Sequence, residues 1–218
     1  MILETNGIRL EGEAAGERRI YMLCGGAERT EGVISVSGME WNRDLSPWPA
    51  KAAFARSGDF AGGAGEFLRR LLAAVEEFER AQGGGAQPRC LAGYSLAGLF
   101  CLYAACESDA FSGVASVSGS LWYDGFVDYL RARPVRAKRI YLSLGDRESR
   151  ARDPRLARVG ECTQMAVEIF RGDGAETCFE WNAGNHFQDP MGRMERAVRF
   201  LKKDRIEVFG DGERKNWT

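Results

Sequence analysis

The chain has 218 residues, a net charge of −1 and a hydrophobic fraction of 44%, which are ordinary values for one globular domain. This balance gives no electrostatic basis for binding nucleic acid or an acidic membrane surface, and no apolar run is long enough to span a bilayer. The N-terminal segment lacks the basic start and apolar core of a signal peptide, so we expect a cytoplasmic protein.

In chain order, the first predicted strand is the alternating run IRLEGE, which begins at Ile8 and is typical of a half-exposed edge strand. The later strands are continuous apolar runs of the kind that a sheet buries on both faces: IYMLC, VISVS, CLAGY, GVASVS, IYLSL and TCFEW.

Longer segments between these runs have helical periodicity. Their apolar stripes are Phe67, Leu71, Val75 and Phe78; Leu156, Val159, Thr163, Ala166 and Phe170; and Met191, Met194, Val198 and Leu201. Strands that alternate with such helices predict an α/β fold with a mostly parallel central sheet flanked by helices. We expect a single domain over residues 1–203 without a large lid, followed by a polar tail over residues 204–218.

The six cysteines and the single histidine give little support for a metal site. The chain contains no C-x-x-C pair, and four cysteines lie in apolar runs, where a free thiol behaves as a small hydrophobic group. We therefore expect reduced, buried cysteines and predict neither a metal nor an organic cofactor.

Ser95 lies where the apolar run CLAGY changes abruptly into helix-forming residues. Gly93 and Ala97, two residues before and after it, are small enough for a sharp turn that lifts the hydroxyl out of the sheet. The amide of Leu96 then points from a helix N-terminus and could bind an oxyanion. A glycine-rich turn with an incidental serine is the alternative interpretation.

A serine hydroxyl needs a base to become a good nucleophile, and His186 follows the last predicted strand, at the same edge of the sheet as Ser95. A carboxylate that orients this imidazole should come between the two along the chain. Asp146 and Glu148 both follow the strand RIYLSL, and Glu148 is favoured because it stands three residues after Gly145. Both acids could instead be solvated loop charges.

Six segments carry a resemblance to a known family: YMLCGG, WNRDLSPWPA, GYSLAGLF, SVSGSLWY, LSLGDRES and NAGNHFQDP. They resemble the putative esterase branch of the α/β-hydrolases, which includes esterase D and the enterochelin esterases, over about residues 18–203. The resemblance implies hydrolysis or transfer of carboxylic acyl groups, with Ser95 as nucleophile, His186 as base and Glu148 as acid. It also implies that the Gly26 amide is the second oxyanion donor beside Leu96. Ala97 departs from the family, which more often has glycine at that position.

The segment WNRDLSPWPA resembles a family stretch that lines the site, so Trp41, Arg43 and Trp48, together with Trp122, are candidate substrate-binding residues. The tryptophans could form an apolar pocket for an acyl or aryl group, or simply pack the loops. Arg43 could bind an anionic group of a substrate or pair with Asp44.

The sequence therefore predicts a serine hydrolase that cleaves a small carboxylic ester through an acyl-enzyme intermediate. A thioesterase or acyltransferase would use the same residues. A non-catalytic binding scaffold of this fold is the alternative from a different class of protein, and the complete serine, acid and histidine set argues against it. The oligomeric state cannot be read from the sequence.

Overall fold

The computed structural model describes residues 1–23, 31–53 and 58–203. The strands are β1 (Ile2–Thr5), β2 (Ile8–Gly12), β3 (Arg19–Leu23), β4 (Val33–Ser37), β5 (Pro49–Ala50), β6 (Phe60–Ala61), β7 (Arg89–Tyr94), β8 (Gly113–Val117), β9 (Arg139–Gly145) and β10 (Glu176–Asn182). The helices are α1 (Trp41–Asp44), α2 (Ala64–Ala81), α3 (Leu96–Glu107), α4 (Phe126–Ala132), α5 (Pro154–Ala157), α6 (Val159–Gly172) and α7 (Pro190–Lys202), with a 3₁₀ turn at Glu148–Arg150.

Eight of these strands form the central sheet, in the order β1-β2-β4-β3-β7-β8-β9-β10. All neighbours from β4 to β10 are parallel, whereas β1–β2 and β2–β4 are antiparallel. The carboxyl ends of β7, β9 and β10 therefore lie at one edge of the sheet, where the segments carrying Ser95, Glu148 and His186 begin. This is the edge at which open α/β sheets bind their ligands.

Helices cover both faces of the sheet, because alternate residues of the buried strands point to opposite sides. Tyr21 and Leu23 of β3 pack in the larger core with residues of α2, α3 and α6. Ile20 and Met22 of the same strand belong to a smaller core that is closed by α7. The predicted α/β fold with a mostly parallel, helix-flanked sheet is confirmed.

Three details differ from the predictions. β2 is not the edge strand, since the short strand β1 pairs with its outer side. The helix predicted after Pro154 is divided at Arg158 into α5 and α6. On α7 the predicted stripe is partly wrong, because Met191 is exposed and Arg193 is fully buried.

Within the described residues, no helix is both long and apolar enough to cross a membrane. Four of the cysteines are buried free thiols and a fifth is half-buried: Cys90, Cys101, Cys106, Cys162 and Cys178. Burial raises the pKa of each of these thiols, most strongly for Cys101. The predicted tail over residues 204–218 lies outside the described residues.

Candidate active site

The turn between β7 and α3 holds Ser95 in a conformation that L-residues rarely adopt. Its φ of 59° and ψ of −121° lie outside the regions normal for a serine, at a cost on the order of 1–3 kcal/mol. The Ser95 amide donates to Val117 O at 3.0 Å, and Ser95 O accepts from the Ser120 amide at 3.1 Å. These bonds to β8 and the segment after it hold the turn in place.

Gly93 explains why the turn can be so tight. A Cβ at this position would lie 2.5 Å from the backbone C and O atoms of Ala97, closer than non-bonded atoms can approach. A Cβ at Gly98 would lie 2.9 Å from Ser116 Oγ. The small residues around Ser95 are therefore a steric requirement of the strand-to-helix turn, as the sequence predicted.

A continuous chain of hydrogen bonds joins three side chains from separate segments. Ser95 Oγ lies 3.1 Å from His186 Nε2, and His186 Nδ1 lies 2.8 Å from Glu148 Oε2. With its proton on Nδ1, the imidazole donates to the carboxylate and leaves Nε2 free to accept from the hydroxyl. Such an arrangement can remove the proton of a serine during attack on an acyl carbon.

The Glu148 carboxylate is buried, and its side chain is only 4% exposed. Burial acts to raise the pKa of this carboxyl, but hydrogen bonds from His186 and from the Gly145 amide (2.8 Å) outweigh it and lower the pKa below its ordinary value. Glu148 is therefore ionised at neutral pH, as a partner of an imidazolium must be.

Arg193, on α7, is a buried residue of this site that sequence reasoning missed. Its Nη1 donates to Glu148 Oε1 at 3.0 Å and to Ser118 Oγ at 2.8 Å. Its Nη2 donates to the carbonyls of Ala183 and Asn185, at 3.1 and 3.0 Å. One guanidinium thus connects the acid with the loop that carries the histidine. The signal available in the sequence was an arginine beside the apolar stripe of a helix.

Asp146 has a different position from Glu148. Its Oδ1 accepts from the Gly184 amide at 2.7 Å, and its own amide donates to Asn182 O at 2.8 Å. These bonds attach the end of β9 to the loop after β10. Of the two acids that the sequence nominated, the structure brings Glu148, not Asp146, to the imidazole.

A cavity of about 420 Å³ opens beside Ser95 and His186. Its apolar wall is formed by Trp122, Leu156, Val159 and Phe187. The small volume and the mixture of apolar wall and polar groups suit a small organic ligand.

Of the four predicted substrate-binding residues, only Trp122 lines this cavity. Trp48 packs against the rings of Tyr123, Phe126 and Tyr129. Its indole Nε1 donates to Asp124 O at 3.0 Å.

Trp41 and Arg43 belong to α1 and do not line the cavity. Trp41 is exposed. Arg43 forms ion pairs with Asp44 and Glu40, both at 2.9 Å. A substrate-binding role for Trp41, Arg43 or Trp48 stays a prediction.

Of the two predicted oxyanion donors, the amides of Leu96 and Gly26, the structure describes only that of Leu96. Leu96 is the first residue of α3, and the first N–H groups of a helix have no acceptor within the helix. Its amide belongs to the residue that directly follows Ser95 in the chain. Gly26 lies outside the described residues.

A mostly parallel sheet flanked by helices, with Ser95, His186 and Glu148 together at its carboxyl edge, is typical of the α/β-hydrolase class of proteins. Residues 34–188 match the family described as Putative esterase, and since this is more than half of the chain, the protein belongs to that family. None of the curated proteins matches the sequence.

Solved structures with the same fold include three hydrolases of distant sequence. The IroE-like serine hydrolase from Shewanella oneidensis has a TM-score of 0.70 at 15% identity, over 94% of this chain and 79% of that one. The siderophore hydrolase EstA from Aspergillus nidulans has a TM-score of 0.63 at 18% identity, over 89% of both chains. The enterochelin esterase from Shigella flexneri has a TM-score of 0.61 at 13% identity, over 93% of this chain and 56% of that one. At these identities the likeness establishes the fold alone.

Proposed function

We propose that this member of the esterase family is a serine hydrolase that cleaves a small carboxylic ester through an acyl-enzyme intermediate. The observation that carries the proposal is the unbroken chain of hydrogen bonds from Glu148 through His186 to Ser95, at a strained turn that opens into a cavity. An incidental serine would not require a disfavoured backbone conformation together with a histidine and a buried carboxylate in line.

In the proposed reaction, Ser95 Oγ attacks the acyl carbon while His186 Nε2 accepts its proton. The imidazolium that forms is stabilised by the Glu148 carboxylate. The amides of Leu96 and Gly26 are the proposed donors to the oxyanion of the tetrahedral intermediate. His186 then protonates the leaving alcohol and later accepts a proton from the water that releases the acid.

The experiment that tests this function measures hydrolysis of a panel of short acyl and aryl esters by the wild-type protein and by Ser95→Ala. We expect the variant to lose activity on the order of a thousandfold or more. Ser120→Ala is the matched control, since Ser120 Oγ lies 3.3 Å from Ser95 Oγ and its loss leaves the Ser95–His186 contact in place. The Ser120→Ala substitution should lower kcat by no more than about tenfold.

Retained hydrolysis by folded Ser95→Ala protein would contradict the proposed function. Thioesters with the same acyl groups belong in the panel, because the arrangement of side chains does not distinguish an oxygen from a sulfur leaving group. The substrate with the higher kcat/KM decides between an esterase and a thioesterase.

A further inference from the structure

Two arginines line the cavity beside Ser95 without a partner of their own. Arg147 and Arg150 both contribute to its wall and are exposed to solvent. In the ranges that the structure describes, neither guanidinium has a hydrogen bond, an ion pair or a ring contact. The wall of the cavity therefore includes two arginines whose positive charges are not paired with any side chain of the described residues.

The acids nearest to them along the chain are already engaged. Glu148 is held by Gly145, His186 and Arg193. Asp146 accepts from a backbone amide of the histidine loop.

Asp153 likewise caps α5 by accepting from the Arg155 and Leu156 amides. Because these carboxylates have other partners, a negatively charged ligand would be the natural counter-ion of Arg147 and Arg150. A guanidinium recognises a carboxylate well, since its paired donors match the two carboxylate oxygens.

The rest of the cavity limits what can carry that charge. Trp122 and Phe187 provide aromatic surface, and Leu156 and Val159 provide aliphatic surface. A ligand that satisfies both parts of the wall has an apolar, ring-sized body with a carboxylate at its periphery.

We infer that the preferred substrates are esters with an apolar body that carries a carboxylate, and that Arg147 and Arg150 bind this carboxylate. The inference rests on the proposed function, since it places the carboxylate in the cavity from which Ser95 would attack the ester.

The test uses two pairs of esters in which only the charge changes. The first pair places it in the acyl group: 4-nitrophenyl 4-carboxybenzoate and 4-nitrophenyl 4-carbamoylbenzoate. The second pair places it in the alcohol: 4-carboxyphenyl butyrate and 4-carbamoylphenyl butyrate. Each kcat/KM is divided by the rate constant for hydroxide hydrolysis of the same ester, which removes differences in intrinsic reactivity.

We expect the charged member of at least one pair to be preferred by about tenfold or more. In the double variant Arg147→Met/Arg150→Met, the normalised kcat/KM of the charged ester should be within about threefold of that of its neutral partner. Arg152→Met is the control, because Arg152 is exposed on the same segment and is not part of the cavity wall, and it should keep the wild-type ratio. A wild-type ratio near or below one for both pairs, or an unchanged ratio in the double variant, would overturn the inference.

Binding separates this inference from the proposed function. Titration of Ser95→Ala protein with the same esters measures affinity without turnover, and we expect the carboxylate of the preferred pair to bind about tenfold more tightly than its carboxamide. If binding shows this preference but the wild-type protein hydrolyses neither these four esters nor any ester of the panel described above, the proposed function fails and the carboxylate site stands. If neutral esters are hydrolysed but both pairs bind equally, the inference fails and the proposed function stands.

Discussion

Exchanging Glu148 for glutamine removes one negative charge from the site and keeps a side chain of nearly the same size. Glu148 Oε1 accepts from the Gly145 amide and from Arg193, so the oxygen of the new glutamine side chain must take that position. The amide nitrogen of the glutamine then faces His186 Nδ1 and donates to it. This contact places the imidazole proton on Nε2, which can no longer accept from Ser95.

The size of the effect follows from these contacts. Glu148 is almost fully buried, and removing one partner of a buried charge pair costs about 3–5 kcal/mol. His186 is 31% exposed, so we take the lower figure, about 3 kcal/mol, for the lost stabilisation of the imidazolium. That is on the order of a hundredfold in kcat, and the wrong tautomer lowers the rate further.

Asp146→Asn is the matched control, since it makes the same chemical change two residues away. The asparagine side chain of this variant keeps a carbonyl oxygen that can accept from the Gly184 amide, so kcat should stay within a few-fold of the wild-type value. The weaker acceptor should lower the free energy of unfolding by about 1 kcal/mol at most, or about 2–4 °C in Tm.

The assay measures kcat and KM for a neutral chromogenic ester together with Tm for each variant. Loss of turnover in stable Asp146→Asn protein, with nearly normal Glu148→Gln protein, would reverse the assignment of the acid. Normal turnover in both variants would mean that Ser95 and His186 act without a carboxylate.

Three further predictions concern the base, the buried arginine and the turn. His186→Ala should lower ester hydrolysis on the order of a thousandfold or more, and retained activity in a folded protein would identify another base. Arg193→Met should lower Tm by about 6–12 °C, because about 3 kcal/mol is lost when a buried carboxylate loses its partner. Arg199 is exposed on the same helix, so Arg199→Met should change Tm little. Equal shifts of Tm in the two variants would refute this reasoning. Gly93→Ala should lower the free energy of unfolding by about 1–3 kcal/mol or more, measured by denaturant unfolding. Gly172→Ala should not lower it, because there is open space where its Cβ would lie. A Gly93→Ala protein as stable as the wild type would show that the turn relaxes.

Much of the fold could be predicted because it depends on local patterns. The buried strands β3, β7, β8 and β9 are continuous apolar runs, and a parallel sheet buries both faces of each strand. The positions of Ser95, Glu148 and His186 at strand ends followed from the same pattern, because carboxyl ends of parallel strands meet at one edge.

The parts that sequence reasoning missed depend on contacts between distant segments. The burial of Arg193 is stabilised by Glu148, 45 positions earlier in the chain, and helical periodicity contains no information on such a partner. Arg147 and Arg150 flank Glu148, yet their surface becomes part of a cavity through the packing of α5 and α6 against this segment and through the loop that carries His186. β1 has only four residues, none of them buried, so the sequence gave too weak a local signal for its pairing with β2.

The central claim is that Ser95 is the activated nucleophile, and covalent labelling with a fluorophosphonate followed by peptide mass spectrometry tests it most directly. Ser120 provides an internal comparison, since its hydroxyl lies 3.3 Å from that of Ser95 and borders the same cavity, although Ser120 itself is buried. We predict one phosphonate per chain, on Ser95, in the folded wild-type protein and a strongly reduced rate of labelling in His186→Ala. Labelling of Ser120 or another serine, or no labelling of the folded protein, would contradict the account.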